Sequence, residues 1–157
     1  MITSKPEQFE TRQARRQGNA KLLAATKAFK PDTPDQIEGT CGNIQQNIWG
    51  EKYEDSLGQR VNAPFLLARL CAAFNGLQIQ VGGQEDYKTT WSTVLVHIDT
   101  GYVVTFYDWK GGASLGSNVY GKDIPAEFLK DVRALVEALC DDRFPHPYDG
   151  CVVGEEA

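Results

Sequence analysis

Cys41 and His97 are the residue types here that could do covalent chemistry together. A cysteine attacks as its thiolate, an imidazole can take the thiol proton, and a carboxylate such as Asp108 can orient the imidazole. Cys41 has two readings. In the stripe Ile37, Cys41, Ile44 it is a core thiol, the usual fate of a free cysteine. If its helix begins at Thr40, it sits in the first turn, where the helix dipole lowers a thiol pKa.

The order helix, strand, strand for Cys41, His97 and Asp108 resembles that of transglutaminase-like and arylamine acetyltransferase enzymes. The resemblance covers these three residues and the element order, and it implies a Cys-dependent transferase or hydrolase. The hairpin expected around Asp99-Thr100-Gly101 argues the other way. With Thr100 and Gly101 as the central turn residues, His97 faces Val104, which sets it four residues, roughly 13 Å, from Asp108 along the sheet.

A second constellation is Cys140-x5-His146-x4-Cys151, with Asp141, Asp142 and Asp149 nearby. Thiolate and imidazole suit zinc, but structural zinc sites show closer cysteine pairs and a fourth ligand, so no metal and no cofactor is expected. Lys110 to Asn118 is rich in Gly and Ser, yet Lys110 opens the run where a phosphate-cradling loop would close on its lysine; it reads as a flexible surface loop. Beside it, Tyr107, Trp109 and Lys110, with Gly111, Gly112 and Ser114, form the expected partner-binding edge, because aromatic and basic residues concentrate at interface hot spots; a place in the buried core is the alternative for the two aromatics. Arg12, Arg15, Arg16 and Lys21 could instead meet nucleic-acid phosphates, although no reader motif accompanies them.

The elements that must position these residues follow from periodicity. Gln8 to Asn19 has few apolar residues and is expected to be exposed; Leu22, Ala25 and Phe29 then recur at helical spacing. Thr33-Pro34-Asp35-Gln36 opens a helix whose face is Ile37, Cys41, Ile44 and Ile48. Gly50 to Val61 reads as loop. Asn62-Ala63-Pro64 starts a helix with the stripe Leu66, Leu67, Leu70, Cys71 and Phe74, stopped by Asn75-Gly76.

Leu77 to Val81 alternates as a short strand, and Tyr87 to Ile98 with Gly101 to Trp109 gives the hairpin. One of its faces is Trp91, Thr93, Leu95, His97, Tyr102, Val104, Phe106 and Asp108; the other is Ser92, Val94, Val96, Ile98, Val103, Thr105, Tyr107 and Trp109. Both are largely apolar, so the pair is expected to be covered on two sides, or covered on one and used for binding on the other. Asp123-Ile124-Pro125 opens a last helix with Phe128, Val132, Leu135, Val136 and Leu139 inward.

The expectation is therefore a single α+β domain over 20–140, with a central antiparallel hairpin flanked by amphipathic helices in the rough order α-α-α-β-β-β-α. A basic segment 1–19 precedes it and an acidic tail 141–157 follows. A chain of 157 residues with 41% apolar and 24% charged residues can build a core without disulfides, so the four cysteines read as reduced thiols of the cytoplasm. No secretory leader and no apolar stretch long enough to span a bilayer are evident. The net charge of −5 divides into seven basic against two acidic residues over 1–30 and nine against nineteen beyond. Such a balance steers association and says little about fold.

Lacking a metal cluster, a nucleotide fingerprint or a sound triad, the sequence is read first as a non-enzymatic binding or regulatory protein that docks on a protein partner. An accessory or inhibitor of the size that phages and mobile elements encode would fit. A Cys41 enzyme is the second reading and a nucleic-acid binder the third.

Overall fold

β-branched and aromatic residues crowd positions 91–109, and in the computed structural model they form the centre of an antiparallel sheet. Residues 20–32, 57–81, 89–117 and 124–141 are described, without the side chains of Gln59 and Trp109. The readings that rest on Arg12, Arg15, Arg16, Cys41, His146 and Cys151, and the helix expected from Thr33, lie outside them.

After a helical segment over 20–26, the elements in chain order are β1 (Phe29–Asp32), α1 (Leu57–Arg60), α2 (Ala63–Ala73), β2 (Ile79–Val81), β3 (Trp91–His97), β4 (Val103–Trp109), β5 (Gly112–Ser117) and α3 (Ala126–Leu139). The chain is a mixed α+β domain, as expected. No helix among the described residues is long and apolar enough to cross a membrane.

The hairpin keeps its expected faces but not its expected register. Leu95 pairs with Val104 and Ser92 with Tyr107, and His97 N–H donates to the Tyr102 carbonyl at 2.7 Å. The loop is therefore the four residues Ile98 to Gly101, with only Gly101 at positive φ, 75°. A two-residue turn of the favoured type needs positive φ at both positions, which is unfavourable for a β-branched residue such as Thr100. Shifting the pairing by two residues avoids this and leaves every side chain on its face, because the strand period is two.

In this register Asp108 lies beside Trp91, whose N–H it accepts at 3.0 Å. That is six residues, roughly 20 Å, from His97 along β3, so these two residues do not form a dyad.

The segment read as a flexible loop after Trp109 is a second hairpin. Lys110 and Gly111, at φ 52° and 86°, make a tight turn between Trp109 and its partner Gly112. β5 forms despite the low strand propensity of its glycines, because Ala113, Leu115 and Ser117 alternate inward and are buried.

Phe29, expected on a helix, begins β1 opposite His97, and Pro31 sits in the same strand opposite Leu95. Proline is tolerated there because its missing N–H lies on a strand that β3 pairs from one side. β2 pairs Trp91 to Thr93. Since β4 takes the other edge of β3, β1 and β2 lie end to end along one edge. Residues 57–60, expected as loop, are α1.

The core fills the face of the sheet that carries Leu95, Val104, Phe106 and Leu115. Onto it pack Leu66 and Leu70 of α2 and, fully buried, Phe128, Val132, Leu135, Val136 and Leu139 of α3, the predicted stripe. The Asn62 side chain caps α2 by accepting from Phe65 N–H at 2.8 Å, with Pro64 in the first turn. Cys71, placed by periodicity on the buried stripe, is exposed. The inward line of α2 runs through Ala63, Leu66, Arg69 and Leu70, and Cys71 lies about 100° of helical rotation beyond Leu70. The opposite face of the sheet is also buried at Ser92, Val94, Val103 and Thr105.

Candidate functional site

His97 closes β3 on the core side, and its ring is completely buried. Phe29 and Phe128 flank it, with ring centroids at 5.2 and 5.4 Å, and Tyr102 packs on Phe128 at 5.8 Å. Both ring nitrogens have partners. Nε2 lies 2.7 Å from Asp131 Oδ2 of α3, and Nδ1 lies 2.7 Å from Thr100 Oγ1 of the loop.

The chemistry of the partners fixes one of the two directions. An ionised carboxylate only accepts, so Nε2 carries a proton toward Asp131. Thr100 Oγ1 accepts from Tyr102 N–H at 3.3 Å, and its own hydroxyl donates to Nδ1 of a neutral ring or accepts from Nδ1 of a charged one. The result is a chain of hydrogen bonds from the backbone of Tyr102 through Thr100 and His97 to Asp131. It ties the β3–β4 loop to α3. Asp99, exposed on the same loop, brings a second carboxylate: one ligand atom from each of His97, Asp99 and Asp131 lies within 4.8 Å of the others.

Sequence reasoning singled out His97 but neither of its partners. Thr100 and Asp99 read as residues of the hairpin turn, and Asp131 of the last helix drew no reading. A signal was present: Asp131 lies three residues after Phe128 and four before Leu135, which sets an acid on the flank of the buried stripe.

The residues expected to bind a partner come together at the other end of the hairpin. The register places Tyr107 opposite Ser92 on one side and Ser114 on the other, and Trp109 opposite Gly112. Tyr107, Trp109, Gly112 and Ser114 thus share one sheet face, beside the exposed turn residues Lys110 and Gly111. Tyr107 is half-buried, and that burial raises its phenol pKa above the ordinary value.

Other polar side chains serve as fastenings. Asp108 accepts from Thr90 N–H at 2.7 Å, from the Thr90 hydroxyl at 2.5 Å and from Trp91 N–H. Burial pushes its carboxyl pKa up, but these hydrogen bonds outweigh burial and hold it below the ordinary range. Arg69, buried on α2, donates to the carbonyls of Leu139 and Asp141 at 2.6 and 2.7 Å, and stacks 4.2 Å over the Phe65 ring. It satisfies the end of α3, where the helix leaves carbonyls unpaired.

Cys140, the one described member of the candidate zinc set, is half-buried at the same helix end. Desolvation pushes its thiol up to about 11, against the pull of Arg60 and Arg69. Lys21, the one described member of the basic set, lies 3.9 Å from Asp141.

No family model, no curated protein and no solved structure matches the chain.

Proposed function

We propose that this is a small cytosolic, non-enzymatic binding domain of accessory or inhibitor type that docks on a protein partner through the β4–β5 hairpin end. The observation that carries the reading is the grouping of Tyr107, Trp109, Gly112 and Ser114 on one sheet face next to the exposed Lys110–Gly111 turn. Residues on paired strands joined by a two-residue turn lose little entropy on binding, whereas a free loop would lose more. Ser92 and Ser114, the small residues on either side of Tyr107, leave a partner room to approach it. Lys110 adds a charge at the rim that favours an acidic counterpart.

The enzyme reading draws less support. His97 bonds Thr100 and Asp131, and Cys41 lies outside the described residues, so no observation joins the two.

The test is co-purification of the tagged full chain from its native cell, beside a Tyr107→Ala/Lys110→Glu variant. The reading expects a protein retained by the wild type and released by the variant, with both chains folded. Retention of the same protein by both would remove this end of the sheet from the interface.

A further inference from the structure

We infer that His97, Asp99 and Asp131 form a binding site for a divalent first-row transition-metal ion. Two carboxylates near an exposed turn would by themselves be ordinary. The buried imidazole distinguishes this cluster: its ring is fully enclosed, held between Phe29 and Phe128, and presents Nε2 to Asp131 at 2.7 Å.

A ligand nitrogen, an Asp131 oxygen and an Asp99 oxygen already lie within 4.8 Å of one another, so small side-chain rotations would bring all three onto one ion. One imidazole with two carboxylates suits ions such as Mn2+, Fe2+ or Zn2+, with water completing the shell. Asp99 is exposed and Asp131 is one-third exposed, so the ion would sit at the lip of the buried ring with access from solvent.

Thr100 supplies the outer partner that a ligating histidine needs. When Nε2 binds an ion its proton must leave that nitrogen, and a neutral ring then carries its proton on Nδ1. The Thr100 hydroxyl, which donates to Nδ1 when Nε2 carries the only proton of the ring, can rotate and accept from it instead. The same residue therefore supports both tautomers, and the ring need not move.

Mn2+ is the probe of choice, because it favours oxygen and nitrogen over the thiolates elsewhere in the chain. Loss of its free-ion electron paramagnetic resonance signal is followed as full-length protein is added. The proposal expects one ion per chain, and Asp99→Asn weakening the affinity by about tenfold or more. Asp99 is exposed, so that variant should keep the metal-free unfolding midpoint and separate loss of the site from loss of the fold. His97→Gln should abolish uptake. An absence of uptake by folded wild type at millimolar Mn2+, or equal uptake by Asp99→Asn, would overturn the proposal.

Discussion

His97 Nε2 and Asp131 Oδ2 meet at 2.7 Å, joining the end of β3 to the middle of α3 across the edge of the core. The contact is a hydrogen bond whichever charge the ring carries. Its other nitrogen is bonded to Thr100, so losing any member leaves a buried polar atom without its partner.

Removing the ring should be costly and coupled. His97→Ala is expected to destabilise the fold by roughly 2–5 kcal/mol, and Asp131→Ala by less, since its side chain is one-third exposed. A double-mutant cycle by urea denaturation should give a coupling of about 0.5–3 kcal/mol. Additive effects would mean that the two residues act independently.

Asp108 should shape the acid limb of the stability curve. Its carboxyl is held below the ordinary range when folded, so its contribution is complete above the unfolded pKa of about 4. That contribution is lost as pH falls from there through the folded value. Asp108→Asn should be less stable at neutral pH by about 1–3 kcal/mol, because its amide group faces donors, and the difference from wild type should shrink in acid. Guanidinium unfolding at several pH values measures both; a constant difference would contradict the assignment.

The two described thiols should differ in reactivity. Cys71 is exposed and Cys140 is half-buried with its pKa pushed up to about 11. In variants that keep only one of the two, a thiol reagent at pH 7.5 should label Cys71 faster. Faster labelling of Cys140 would mean that its end of α3 opens readily.

The β4–β5 turn should be sensitive to backbone strain rather than to crowding. A Cβ at Gly111 would meet nothing within 4 Å, yet φ there is 86°. Gly111→Ala should therefore cost about 1–2 kcal/mol through conformation alone. A thermal shift near zero would argue against a left-handed residue at this position.

The sequence made the elements legible where pattern and chemistry agree. The α3 stripe, the Asn62 cap and the division of the hairpin into two faces all follow from periodicity and from side-chain hydrogen bonding. Register was less legible, because a shift of two residues preserves the faces and only the conformational demand on Thr100 decides between the alternatives. β5 was hidden by its glycines, although Ala113, Leu115 and Ser117 carried the alternation. The His97 cluster was missed because Asp131 is distant in sequence and only the packing of α3 against the sheet brings it to the ring.

The central claim is that the β4–β5 end carries the partner interface, and calorimetric titration of the captured partner into wild type and Trp109→Ala tests it most directly. The account predicts a loss of on the order of 2 kcal/mol in binding for the variant, with an unfolding midpoint close to wild type. A variant much less stable that binds normally at a temperature where it remains folded would contradict it.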